Sequence, residues 1–166
     1  MAKPWSNIMI LHHFEVLAWL LVVCSSLMAG IYLTFSVVIM RSLAQLPIEA
    51  GIGAMNAINR HIVRTAFMPL FFGSTVIALL MLLVGFWFFE APGAYRAILT
   101  GGLYVIGMFL VTALGNVPLN NQLDKLSGHE PNAETVWQHY LSRWTRLNSL
   151  RALACLATFA GCLSML

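Results

Sequence analysis

Residues 144–166 read WTRLNSLRALACLATFAGCLSML, and this closing stretch decides how the chain folds. Its uncharged part, Ala152 to Leu166, has 15 residues. At the helical rise per residue that is about 22 Å, against a hydrocarbon core of about 30 Å. A helix here crosses a bilayer only by drawing Asn148, Arg151 and Trp144 inward toward neighbouring helices. The alternative is an Arg151 that snorkels to the headgroups. Trp137, Tyr140, Trp144, Asn148 and Arg151 follow one another at spacings of 3, 4, 4 and 3, which puts all five on one helical face. That face offers flat aromatic walls, an amide and a guanidinium. Such a set suits a planar aromatic ligand carrying an oxygen or a developing negative charge.

The rest of the chain agrees with lipid as its solvent. Of 166 residues, 60 % are hydrophobic and 9 % charged, where a soluble domain carries about 25 % charged. The reading is an all-α fold, an integral membrane four-helix bundle forming a single domain over residues 1–166. Its helices are expected at roughly 8–42, 57–90, 94–126 and 133–165. The run Val16–Met40 holds 25 uncharged residues, too long for the apolar core of a signal peptide, so it reads as a retained helix. Pro69 is expected to loosen or kink the second helix. Glu90-Ala91-Pro92-Gly93 is a short turn, and Ser127-Gly128-His129-Glu130-Pro131 is a turn signal in a longer loop. The first loop, Arg41 to Arg64, contains a helical-looking stretch, Met55 to Arg60. Gly101, Gly102, Gly107 and Gly115 suit close helix packing, and Ala157 with Gly161 could support packing on a partner.

Charge sets the expected orientation. Arg41, Arg60, Arg64, Lys125, Arg143, Arg146 and Arg151 lie on the side of loops 1 and 3, against Lys3 and Arg96 on the other. Seven against two puts loops 1 and 3 in the cytoplasm and both termini outside the cell membrane. No basic run with interleaved aromatics occurs, which argues against nucleic acid. Cys24, Cys155 and Cys162 stand apart in apolar stretches without metal-ligand spacing, and no metal site is expected. His12, His13, Glu15 and Glu90 share the opposite end and read as interfacial groups. The partners expected are the lipid bilayer and a small lipophilic aromatic molecule, and a homo-oligomer is compatible with the sequence.

Polar groups at membrane depth are functional candidates by default. Asn116, Asn120 and Asp124 recur every four residues, with Pro118 freeing the carbonyl of Leu114. Tyr32 and Ser36 lie one turn apart on the first helix. Asn59, Arg60 and His61 precede Phe67, Phe71 and Phe72 on the second. All four helices thus send polar groups toward the loop 1 and loop 3 side. His61 and His139 are the candidate bases there, and Arg151 the candidate oxyanion partner. Tyr32, Asn59, Asn116, Asn120, Trp137, Tyr140, Trp144 and Asn148 are the candidate ligand-binding residues.

The strings Ala29 to Ser36, Met55 to Arg60 and Gly115-Asn116-Val117-Pro118-Leu119-Asn120, with the closing Trp/Tyr/Trp/Asn/Arg face, resemble the anthrone oxygenase-like family, also catalogued as a domain of unknown function. The resemblance covers nearly the whole chain. It implies a membrane-embedded oxidoreductase of the oxygenase type acting on an anthrone- or quinone-like aromatic. Some fungal members oxidise anthrones to anthraquinones with molecular oxygen. In that reading Trp137, Tyr140 and Trp144 are walls, Arg151, Asn148 and Asn120 donate to the oxyanion, and His61 or His139 is the base. No cofactor is required, or a haem is ligated by one of these histidines. The alternative is a non-catalytic membrane module that binds haem, quinone or lipid, or a small subunit of a membrane complex. A transporter finds little support, since no pair of broken helices appears.

Overall fold

The computed structural model describes residues 4–166, with side chains from His12 onward; Lys3 lies outside them. The first rod is α1 (Pro4–Thr34), a π-helical turn π1 (Phe35–Ile39) and α2 (Met40–Leu43). Next come α3 (Ile48–Ile62) and α4 (Phe67–Trp87). A further rod joins α5 (Ala94–Tyr104), π2 (Val105–Leu110), π3 (Thr112–Asn116) and α6 (Val117–Leu123), and α7 (Ala133–Leu163) follows. No strand occurs among the described residues. His12–Leu43, Phe67–Trp87 and Ala94–Leu123 are three helical stretches long and apolar enough to cross a membrane. The chain is therefore an all-helical membrane protein.

There are five rods among the described residues where the sequence suggested four. The segment expected as one helix over 57–90 divides at Val63–Ala66. Thr65 does the dividing: its hydroxyl donates to the Ile62 carbonyl (2.8 Å) and accepts the Phe67 N–H (3.3 Å), closing α3 and starting α4. Pro69 falls in the first turn of α4, where a missing N–H costs nothing, so it opens the helix instead of kinking it. The last rod, α7, is not among the three apolar stretches. Arg143, Arg146 and Arg151 interrupt its hydrophobic run.

Lipid-soluble helices can be apolar all round, so the inner face is marked by small and polar groups. On α1, Phe14, Ala18, Leu21, Ser25, Met28 and Tyr32 are buried at helical spacing, while Trp19, Val23 and Leu27 on the other side are more than half exposed. The α1 rod packs on α7 and α4, and α5 packs on α4 and α7, so the four long rods form a ring. Gly101 permits one of these contacts: a Cβ there would sit 2.6 Å from the Ala78 carbonyl oxygen. Gly161 faces inward too, 2.8 Å from Thr100 Oγ1 in the same sense, so it serves α5 and not an outside partner.

Two local features shape the end where the site lies. Pro118 has no N–H for the Leu114 carbonyl and its ring crowds that carbonyl. The turn before it widens into π3. The amphipathic α3 lies against that end. Asn56 Nδ2 donates to the Leu123 carbonyl (3.2 Å) at the end of α6, supplying an acceptor group there with a partner. Arg60 reaches Asp124 at 3.5 Å on the surface.

The following loop is stitched to α3. Gly128 has φ +102°, and a Cβ at this position would approach Glu49 Cα to 2.6 Å. Glu130 receives the Ser127 N–H (2.9 Å), the Ser127 hydroxyl (2.9 Å) and the Gly128 N–H (2.9 Å). These donors, the Ser127 N–H foremost, hold its carboxyl down to about 2. The charged form is favoured by folding, so this contribution is full above the ordinary carboxylate range and is lost as pH falls through about 2. Amide exchange at Ser127 and Gly128 should stay protected at pH about 4 and accelerate only as pH approaches 2. Glu130→Gln should remove that protection at all pH values. In the membrane region, Gly101→Val should lower stability by about 1–3 kcal/mol through overpacking, read as a lower unfolding temperature in detergent.

Candidate functional site

A cavity of about 320 Å³ lies between π1, the second half of α3, the start of α4, π2 through α6, and the middle of α7. That volume falls within the ligand-sized range of about 300–1,000 Å³. Most of its wall is apolar: Phe35, Met55, Phe67, Phe71 and Phe109 contribute large surfaces. Polar groups come from the first rod, α3, π3–α6 and α7: Tyr32, Asn59, Thr112, Asn116, Asn120, Asn148 and Arg151.

Asn148 is fully buried and saturated. Its amide donates to the Tyr32 carbonyl (2.6 Å) and to Ser36 Oγ (2.6 Å), and its oxygen accepts from Arg151 Nη2 (2.6 Å). The π1 turn makes this possible, because a widened helix presents acceptors at Tyr32 and Ser36 to the side. Asn148 therefore positions Arg151. It has no N–H left to donate to a ligand, which corrects its expected role as an oxyanion donor.

Arg151 is 5 % exposed. Its Nη1 donates to Thr112 Oγ1 (3.1 Å) and its guanidinium carbon lies 4.2 Å from the Tyr32 ring centre and 5.5 Å from that of Trp144. The Nε–H has no partner, and neither has the Tyr32 hydroxyl. Of the five guanidinium N–H bonds, two are thus occupied. None of the six Asp and Glu residues lines the cavity. A cation this deep in the protein, without an anion, is a strongly unfavourable arrangement.

The aromatic face of α7 acts as a ladder. Trp137 stacks on Tyr140 at 5.8 Å, Tyr140 stacks on Trp144 at 6.0 Å, and Trp144 meets Phe35 at 5.9 Å. Tyr140 Oη–H and Trp144 Nε1–H both donate to Asn120 Oδ1, each at 2.8 Å. Two donors on that oxygen fix which way the amide points and leave its nitrogen as the free donor. Asn116 is held in turn by its Nδ2–H to the Trp144 carbonyl (3.2 Å), and its oxygen is buried without a partner.

The structure thus brings together Tyr32, Asn59, Asn116, Asn120, Trp144, Asn148 and Arg151 around one cavity. Trp137 and Tyr140 stand behind the cavity wall and brace it. His61 and His139 are exposed and line no part of the cavity. The residues present therefore offer a haem no histidine ligand inside the cavity. At the opposite end His12 is 4.0 Å from Glu15, and among the described residues no three metal-ligating groups converge. Thr112 was missed by sequence reasoning although it extends the stripe of Asn116 and Asn120 by one more step of four. Phe35, Met55 and Phe109 were missed because an apolar residue in an apolar helix carries no signal of facing inward.

Fold and cavity together define a membrane protein with a ligand-sized, cation-ended pocket among its helices. A family model, anthrone oxygenase, matches residues 60–161, and the chain belongs to that family. The match covers Asn116, Asn120, Asn148 and Arg151 but not the first rod with Tyr32 and Ser36. No curated protein and no solved structure matches the chain.

Replacing Asn148 tests the positioning role. Asn148→Leu should cost about 3 kcal/mol, since it takes one donor each from Ser36 and the Tyr32 carbonyl and leaves a buried Arg151 N–H unpaired. Denaturation in mixed detergent reads this directly. Ser149→Ala, which removes a single part-buried bond to Ser36 (2.9 Å), should cost under about 1.5 kcal/mol.

Proposed function

We infer that the cavity binds a lipophilic planar aromatic carrying a carbonyl or phenol oxygen, and that Arg151 holds this oxygen as an oxyanion. The observation that carries the reading is the buried guanidinium with open N–H donors and no carboxylate. Family membership supplies the reaction: oxygenation of an anthrone. In that reaction a ring CH2 becomes C=O, one atom of O2 enters the product and the other leaves as water. The step begins when the CH2 loses a proton to solvent water as the ligand settles, and the ring system becomes an electron-rich enolate able to reduce oxygen. Neither a histidine nor a carboxylate lines the cavity, so the chain's contribution is electrostatic: it favours the deprotonated ligand over the neutral one. Aromatic walls orient the ring and exclude water. Asn120 and the Tyr32 hydroxyl are the further donors toward the ligand.

The proposal places the chain in the membrane as a four-helix bundle. Leu150, Leu153, Leu156 and Leu163 give α7 an exposed apolar face like those of the other three long rods. This supports a fourth span whose polar face points into the cavity. Arg151 is interior and drops out of the orientation count, which leaves six exposed cations of the original seven on the loop 1 and loop 3 side. Arg96, which donates to the Ser164 carbonyl (2.8 Å), marks the other end. Loops 1 and 3 in the cytoplasm and both termini outside is the orientation this favours.

Spectrophotometric titration of the purified protein with anthrone tests the function. Wild-type protein should bind the ligand as its anion, with the red-shifted absorbance of the enolate at a pH where free anthrone is neutral. Arg151→Ala should abolish that shift and weaken binding by about 100-fold, and Arg151→Lys should recover part of it. Binding of neutral anthrone equally well by Arg151→Ala would remove the basis of the reading, and a non-catalytic quinone or lipid module would then be preferred.

A further inference from the structure

The cavity wall is not closed all round. Four residues that line it are also exposed on the outer surface: Val63 and Phe72 on one side, Ala113 and Val117 on the other. Val63 is 55 % exposed, Phe72 51 % and Val117 42 %. A residue that both lines a cavity and meets the surroundings marks its rim. Phe72 belongs to the apolar span Phe67–Trp87, and Ala113 and Val117 to the apolar span Ala94–Leu123. The gap therefore lies between the α3–α4 corner and π3–α6.

Packing explains why it opens there. α4 lies along α5 and π2, but among the described residues no comparable contact joins it to π3 or α6. The widened turns ahead of Pro118 carry the rod away from α4. The water-facing end is the closed one. There α3 is tied across by Asn56 to the Leu123 carbonyl (3.2 Å) and by Arg60 to Asp124 (3.5 Å). Ile52 and Met55 of α3 are fully buried beneath it.

The rim has no charged or polar side chain, and the groups that want an anion lie on the walls facing it. An aromatic that slides in from the side places its oxygen toward Arg151 and leaves its far edge in the gap. We propose that the ligand reaches this site sideways from the bilayer, oxygen first, and that the Phe72/Val117 gap lets a hydrocarbon substituent on its far edge trail into lipid. The substrate class then extends from bare aromatic ketones to aromatic heads bearing alkyl or acyl tails longer than the cavity. Phe72, Ala113 and Val117 are the residues that determine this tolerance. The inference rests on the oxyanion site described above.

The experiment uses full-length protein in phosphatidylcholine nanodiscs, with anthrone and ring-alkylated anthrones from methyl to decyl. Wild-type protein should bind the decyl homologue within about threefold of the methyl one. Phe72→Trp combined with Val117→Trp should lower the decyl-to-methyl affinity ratio by at least about tenfold, and Ala113→Phe should act in the same direction from the other jamb. A wild-type protein that rejects the decyl homologue by more than about tenfold overturns the proposal while leaving the oxyanion site intact. A spin label at Phe72→Cys gives an answer independent of ligand. Relaxation by oxygen but not by an aqueous nickel chelate supports a rim in lipid; strong relaxation by the chelate overturns it whatever the ligands do. If the rim lies in lipid but no anthrone binds, the oxyanion site fails, and the sideways route of its ligand fails with it.

Discussion

A guanidinium with no carboxylate to meet it sits among the membrane helices, and the rest of the structure is arranged around holding it. Burying an ion costs several kcal/mol even when it is well paired. Arg151 offsets that cost partly with Asn148 and Thr112 and partly with the π faces of Tyr32 and Trp144. Asn148 in turn is fixed by the first rod, and Trp144 by Asn120 of α6 and by Asn116, whose Nδ2–H donates to the Trp144 carbonyl. Three of the long rods thus converge on one side chain. The Nε–H of Arg151 is left without a partner.

Lipid as solvent accounts for how this is built. In water the core is chosen by hydrophobicity; in a bilayer both faces of a helix can be equally apolar, and polar contacts decide which face turns inward. The pairs Tyr104 with Ser74 (2.7 Å) and Asn148 with Ser36 (2.6 Å) do this on opposite sides of the ring. The π-helical turns serve the same end. All three border the cavity, where a widened turn exposes backbone acceptors or swings a rod aside to leave space.

Much of this was legible in the sequence, for reasons that can be named. The face from Trp137 to Arg151 shows because polar and aromatic residues at helical spacing stand out against leucines. Pro118 signals a distorted helix. Other features were hidden. Thr65 looks like any loop threonine, yet it splits α3 from α4. His61 and His139 attract attention as helical histidines on the side of the cluster, but helical phase points both outward. The phenylalanines of the wall are indistinguishable in sequence from those facing lipid. The ladder behind Trp144 also changes meaning in three dimensions: Trp137 and Tyr140 brace the site without entering it.

The account stands or falls on the state of one N–H group, the Nε–H of Arg151. Nitrogen-15 NMR of the arginine-labelled protein in nanodiscs observes it directly. An interior, unpaired guanidinium predicts a resolved, slowly exchanging Nε–H signal that moves on addition of an anthrone and is insensitive to a water-soluble paramagnetic agent. A signal that exchanges rapidly with water, broadens with the paramagnetic agent and ignores the ligand would show that Arg151 turns outward to the headgroups, and would contradict the account.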